Sequence, residues 1–322
     1  MKNFVLIGAA GYIAPRHMKA IKDTHHHLSV ALDKSDSVGI LDSYFPSAAF
    51  FTEFELFERH VSKLQRKGGE HKIHYVSICS PNYLHDSHVR FALRNQADAI
   101  CEKPLVLNPW NVEALAESEK QSGQRIYTIL QLRLHPEIQK LKQQIEQNTS
   151  NKIIDIDLCY ITSRGAWYNY SWKGDVRKSG GIATNIGIHF FDMLSWLFGK
   201  TLQNTVHLLE PTSTAGLLEL EKARVRWFLS TDASTLPQEV IAKGARTYRS
   251  LKFDGKEIEF SDHFADLHTL SYQHILSGQG FGIQDAQQSV ETVYQVRQAT
   301  PKGLVGDYHP FCKKLCSTQE VF

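Results

Sequence analysis

Short apolar runs alternate with amphipathic stretches through the first part of the chain. The runs at residues 4–8, 28–33, 48–52, 73–80, 97–102 and 125–131 have the length and residue types of buried strands. Between them, residues 15–22, 53–66, 83–94 and 109–122 repeat apolar positions at helical spacing. Strands separated by helices predict a parallel sheet with crossovers on both faces. Ligands bind such a sheet at the carboxyl ends of its strands.

The pattern then changes. A helix is expected at 136–147, a longer strand at 152–163, an aromatic loop at 164–175 and an amphipathic helix at 183–198. Strand-like segments follow at 204–209, 217–220, 223–231, 247–253 and 257–260, and two helices at 264–277 and 283–299. Successive strands with few helices between them suggest a mostly antiparallel sheet. The expected division is residues 1–130 and residues 131–322, with the terminal helices free to pack back on the first part.

Composition narrows the classes. Lys and Arg total 36 against 34 Asp and Glu, so no basic excess points to nucleic acid. No apolar stretch approaches the ~20 residues that span a bilayer. The first apolar run is short and broken by Gly8 and Gly11, which suits a buried strand better than a secretion signal. The five cysteines are an odd number, and Cys312 and Cys316 lack further ligands nearby; reduced thiols in a cytoplasmic protein are expected.

The first strand ends in Gly8-Ala9-Ala10-Gly11-Tyr12-Ile13-Ala14, a G-x-x-G-x-x-A turn one residue longer than the usual dinucleotide fingerprint. One glycine allows the tight turn, the second lets backbone approach a pyrophosphate, and Ala14 lets helix and strand pack closely. The helix N-terminus favours the phosphates. Gly8, Gly11, Tyr12 and Ile13 are therefore candidate cofactor contacts. Asp33, ending the second strand, suits the ribose hydroxyls of NAD and repels the 2′-phosphate of NADP, although Lys34 blunts that repulsion. A ligand-free glycine turn and a solvated turn aspartate are the alternatives at this point.

Three further segments stand in order: Ser80-Pro81-Asn82-Tyr83-Leu84-His85 after the fourth strand, Glu102-Lys103-Pro104 after the fifth, and Gly180-Gly181 leading to Asn185-Ile186-Gly187-Ile188-His189-Phe190-Phe191-Asp192. Together they resemble the glucose–fructose oxidoreductase / inositol dehydrogenase (Gfo/Idh/MocA) family over nearly the whole chain. Residues 8–21, 77–85, 100–110, 131–136 and 160–175 resemble its UDP-N-acetylglucosaminuronate 3-dehydrogenases of the WlbA/WbpB type. The resemblance implies an α/β fold: an N-terminal Rossmann domain with a doubly wound parallel sheet, then an α+β domain with an open-faced, mostly antiparallel sheet for substrate binding and oligomerisation. It also implies NAD as cofactor and a homo-oligomer, dimer or tetramer, joined through the C-terminal sheets. The expected task is cytoplasmic synthesis of acetamido-sugar uronates for lipopolysaccharide and O-antigen. Most relatives carry Asp where this chain has Asn185, which the narrower group shares.

Oxidising a hydroxyl removes a hydride and a proton. His189 is the expected base because imidazole titrates near neutrality. Lys103 is expected to stabilise alkoxide charge or relay the proton, and Asn185, four residues before His189, to share its helical face. Asp192 either holds the imidazole or caps local structure. Ser80, Asn82, His85, Glu102, Lys103 and Gln131 join the cofactor set, and Glu102 is equally open to a structural role. Pro104 favours a fixed turn, with a cis peptide among the options.

The loop at 164–175 holds four aromatics with Arg164 and Lys173. Aromatic faces suit sugar rings, and arginine grips carboxylate or phosphate. Arg133, Arg164, Tyr168, Trp172, Lys173 and Asn185 are the candidate substrate contacts; packing of the sheet or of a subunit interface is the alternative. No metal is expected. The triplet at His25, His26 and His27 suits a solvated loop, His71 and His74 point to opposite faces of a strand, and His85 with His88 lacks a third ligand. The leading function is oxidation of C3 of a UDP-N-acetylglucosamine uronate. The alternatives are another sugar or polyol dehydrogenase, an NAD-dependent glycoside hydrolase of the same family, and a non-catalytic NAD- or nucleotide-sugar-binding regulator.

Overall fold

A computed structural model describes residues 1–148, 150, 152–253, 255–257 and 266–313. The described residues of Met1–Leu134 and Ala265–Gln287 form one compact unit, and those of His135–Phe264 and Gln288–Phe322 form another.

The first unit is a six-stranded sheet, β1 (Asn3–Ile7), β2 (His27–Leu32), β3 (Ala49–Phe51), β4 (Ile73–Ile78), β5 (Asp98–Cys101) and β6 (Ile126–Thr128). Their order is β3-β2-β1-β4-β5-β6, and every pair is parallel. All five residues of β1 are buried, and Phe4–Ile7 is the continuous apolar run of a strand covered on both faces. The crossovers include α1 (Ala14–Asp23), α2 (Phe54–Lys67), α3 (His85–Arg94) and α4 (Pro109–Ser122). Proline fits the first turn of α1 and α4, where the missing N–H has no helical partner, and Gly123 closes α4 in the left-handed conformation. Chain order reverses between β1 and β4, which places a binding crevice at their carboxyl ends.

The second unit opens with α5 (Pro136–Gln147) and the central strand β7 (Ile154–Thr162). Residues Ala183–Gly187 form a π turn that runs into α6 (Ile188–Phe198). The expected single helix over 183–198 therefore has a wider first turn. Strands β8 (Thr201–Leu209), β9 (Ser213–Leu220), β10 (Ala223–Ser230), β11 (Thr247–Phe253) and β12 (Lys256–Glu257) complete a sheet ordered β12-β11-β7-β10-β9-β8. Four of its pairings are antiparallel, and β7–β10 is parallel. Buried Trp227 of β10 meets Phe191 of α6 edge-on at 5.3 Å, seating the helix on the sheet. On residues beyond the sheet, the His309 ring stacks on Phe228, and Asp307 pairs with Arg224 and Arg226, so the C-terminal segment covers part of the sheet.

The helix α7 (Leu267–Leu276) belongs to the first unit despite its late position, and packs along α1. The expected strand at 257–260 falls largely outside the described residues, as does Cys316. Cys79, Cys101, Cys159 and Cys312 are buried. No helix among the described residues is long and apolar enough to cross a membrane.

Candidate active site

The dinucleotide turn has the geometry its spacing requires. Gly8 sits at φ 96°, and a Cβ there would stand 2.7 Å from the backbone of Cys79 and Ser80. Only glycine lets β1 and the turn after β4 approach this closely. The Gly8 and Ala9 N–H groups both donate to the Leu32 carbonyl, tying the turn to β2. Asp33 follows β2 directly; one carboxylate oxygen accepts from Ala10 N–H at 3.0 Å and the other from Ser35 N–H at 2.9 Å. Gly11, Tyr12 and Ile13 lie at the mouth of the turn, with the Tyr12 side chain standing in solvent.

Two turns line the crevice beyond. Ser80 and Asn82 are buried after β4, and Ser80 Oγ lies 2.9 Å from His88 Nδ1. Burial, reinforced by the charge of His85, holds His88 down to about 4, so it is a neutral packing group. His85 is fully buried, with Nδ1 2.7 Å from the Pro104 carbonyl and Nε2 2.8 Å from the Ser80 carbonyl. A carbonyl only accepts, so a neutral ring donates to one of the two, and, with no side-chain atom open to a cofactor, the His85 ring packs between the two turns. Burial lowers its pKa against the two carbonyls and Glu102.

Glu102 is buried, Lys103 is half-buried, and the Lys103–Pro104 peptide is cis. Gln131 is buried, and among the described residues its Oε1 has no hydrogen-bond partner, an acceptor left for a ligand. Arg133 is buried too, but its guanidinium donates to the Asp285 carboxylate at 2.8 Å and carbonyl at 2.9 Å, over the Phe281 ring. Its charge is committed to Asp285, and it leaves the set of candidate substrate contacts.

In the second unit, residues 182–194 are buried except for Asn185 and His189, which are partly accessible. The π turn that carries Asn185 is bounded by tight packing: a Cβ on Gly187 would stand 2.4 Å from Leu229 Cδ1. Such turns recur at functional positions because they re-aim side chains along a helix. Asn185 Nδ2 donates to the Tyr168 hydroxyl at 2.6 Å, so the aromatic loop and the helix share a polar contact. Asp192 is buried.

The loop holds Tyr168 buried and Trp167 and Tyr170 exposed. Lys173 Nζ lies over the Trp172 ring at 4.5 Å and the Trp167 ring at 5.7 Å. Burial first, and the nearby Arg164 charge second, lower the Lys173 pKa. A cation over aromatic rings, with a second positive charge near it, has the chemistry to take an anionic ligand with an apolar face.

The histidine expectations fared unequally. His25 is exposed, but His26 packs on Phe4 and His27 begins β2. His71 precedes β4 in a 3₁₀ turn, so it has no strand face. Sequence reasoning missed His17 and His268, both buried against Glu102. The signal available was His17 on the apolar stripe of α1 beside Ala14, Met18 and Ile21.

The first half matches the NAD-binding Rossmann domain of an oxidoreductase family, Gfo/Idh/MocA, over residues 2–129, and the second half matches that family's C-terminal alpha/beta domain over 142–302. The chain belongs to the Gfo/Idh/MocA oxidoreductase family. The WlbA (WbpB) dehydrogenase from Thermus thermophilus, solved with NAD and alpha-ketoglutarate, is 49% identical at TM-score 0.93, covering 97% of this chain and all of that one. The same dehydrogenase solved with NAD and UDP-GlcNAcA superposes at TM-score 0.92 with equal coverage. YteT of Bacillus subtilis is 25% identical over 206 residues, and the match spans about half of its length, 47%. The family's cofactor is NAD, and the residues present fit it: the glycine turn, Asp33 and the unsatisfied Gln131 oxygen lie at the carboxyl ends of the parallel strands.

Proposed function

We propose that this protein oxidises the C3 hydroxyl of UDP-N-acetylglucosaminuronate to the 3-keto sugar. The observation that carries the reading is full-length similarity, at 49% identity, to a dehydrogenase solved with NAD and UDP-GlcNAcA. When bound, NAD supplies the hydride acceptor. The chain's own residues do the rest. His189 Nε2 or Nδ1 accepts the hydroxyl proton, and the Lys103 ammonium holds the oxygen as charge develops on it. Asn185, restrained by Tyr168, orients the sugar with a neutral amide that cannot compete for the proton. Arg164 and Lys173 hold the uronate and diphosphate, and Trp172 meets an apolar ring face.

The cofactor set in this proposal is Gly8, Gly11, Tyr12, Ile13, Asp33, Ser80, Asn82, Glu102, Lys103 and Gln131. Alpha-ketoglutarate, present with NAD in one of the similar structures, would be the final electron acceptor here, gaining a hydride and a proton to become 2-hydroxyglutarate. The setting is the cytoplasmic assembly of acetamido-sugar uronates for lipopolysaccharide O-antigen, by a homotetramer joined through its second sheets. Purified protein mixed with UDP-GlcNAcA and alpha-ketoglutarate is expected to yield equal amounts of 3-keto sugar and 2-hydroxyglutarate by mass spectrometry. Neither product forming would remove this reading.

A further inference from the structure

The turn that carries Lys103 is wired to two helices remote from it in sequence. Glu102 Oε1 lies 3.0 Å from His17 Nε2 of α1 and 2.8 Å from His268 Nε2 of α7. His17 Nδ1 lies 2.8 Å from the Tyr272 hydroxyl, which lies 2.6 Å from Ser77 Oγ of β4. All five side chains are buried. The second Glu102 oxygen accepts the Lys103 backbone N–H at 3.3 Å.

The proton positions follow from these contacts. A carboxylate only accepts, so each histidine presents N–H at Nε2. His17 Nδ1, on the other side of the ring, faces the Tyr272 hydroxyl. Among the described residues His268 Nδ1 is buried with no hydrogen-bond partner, as suits the bare nitrogen of a neutral ring. Burial also pulls His268 below the ordinary histidine range, against the pull of Glu102. Burial alone would push Glu102 up, but the hydrogen bonds from His17 and His268 outweigh it and hold the carboxyl well below its usual range.

We propose that His17 and His268 are positioning residues for the reaction: their two Nε2 N–H groups hold the buried Glu102 carboxylate in place at the peptide that carries Lys103. The inference rests on the catalytic role of Lys103 proposed above. His17, Glu102 and His268 also have the donor types of a zinc site. The nitrogen–oxygen separations are those of direct hydrogen bonds, and the Tyr272–Ser77 chain already orients His17 without an ion.

The test removes one donor at a time in the NAD-loaded enzyme. His17→Leu and His268→Leu are expected to lower kcat about tenfold or more, the effect of losing a hydrogen bond to a charged group, with KM for UDP-GlcNAcA nearly unchanged. With a donor gone, burial raises Glu102, so a new acid limb is expected in the kcat–pH profile near neutrality, activity falling as pH falls. His268→Gln restores an N–H and should recover most of the rate without that limb. Glu102→Gln should be slow at every pH and lack the limb. If the leucine variants do not fold, Tyr272→Phe, which keeps the ring and withdraws the hydroxyl from His17, should show the same limb more weakly.

Infrared titration of Glu102 in the NAD-loaded protein separates this inference from the substrate assignment, since it needs no turnover. The parent should stay ionised well below neutrality, and the leucine variants should gain the protonated-carboxyl band near neutrality. That result in a protein inert toward UDP-GlcNAcA would keep the Glu102 wiring and discard the substrate. Leucine variants with the parent's pH profile and infrared titration would overturn the inference, as would one zinc ion per chain in the purified enzyme.

Discussion

The turn at Glu102–Lys103–Pro104 and the loop at residues 164–175 both carry cations proposed to meet the same substrate, yet they are built in opposite ways. The turn is buried, clamped by the His85 ring on one side and by His17 and His268 on the other. The loop leaves Trp167 and Tyr170 in solvent and holds Lys173 over rings instead of against a carboxylate. A group that must meet a developing charge gains from fixed dipoles, since reorganisation at the moment of reaction is then small. A group that recognises an anion gains from reach and from rings that adapt to it. The difference suggests chemistry at the turn and recognition at the loop.

Substitutions sharpen that contrast. Lys103→Ala is expected to lower kcat about a thousandfold, and His189→Asn about a hundredfold or more, within the range for a positioned acid or base. By calorimetry His189→Asn should bind NAD as the parent does, and Lys103→Ala should lose far less in NAD affinity than in kcat. Equal loss of NAD affinity would make them structural residues and erase the distinction.

Gly8→Ala comes next. The added Cβ collides with the Cys79 and Ser80 backbone at a strained φ, which destabilises the turn by about 1–3 kcal/mol. NAD binding should weaken by about tenfold or more, and the melting temperature should fall. Arg164→Ala and Lys173→Ala should each raise KM for UDP-GlcNAcA about tenfold while kcat changes little, the signature of uniform binding. A kcat loss as large as that of Lys103→Ala would place chemistry in the loop.

The smallest effect tests the electrostatics of the loop. Lys173 is charged below its pKa, and burial and Arg164 lower that pKa. Substrate affinity should therefore fall as pH rises, at a lower pH than an ordinary lysine would dictate. Arg164→Ala removes one of the two depressing causes, so the alkaline fall should move to higher pH.

The parallel sheet with helical crossovers was legible in the alternation of apolar runs, and the crevice in the Gly8 turn and Asp33, because these features are local. The central parallel pair β7–β10 was not, since its register depends on segments far apart. The π turn at Asn185 is bounded by the close approach of Gly187 to Leu229, a tertiary contact that no spacing announces. His85 read as a cofactor contact because it follows a crevice strand, but its nitrogens are claimed by Ser80 and Pro104. Arg133 read as a substrate cation, but Asp285, 152 positions away, claims its charge. His268 meets Glu102 across 166 positions, beyond any motif.

UDP-GlcNAcA deuterated at C3 offers the most direct measurement, because it follows the atom that the proposed chemistry moves. Mixed with the NAD-loaded protein and alpha-ketoglutarate, it should yield 2-hydroxyglutarate with deuterium at C2, and turnover should slow relative to the protiated sugar. Deuterium retained on the sugar with unlabelled 2-hydroxyglutarate, or washed into solvent, would contradict hydride transfer from C3.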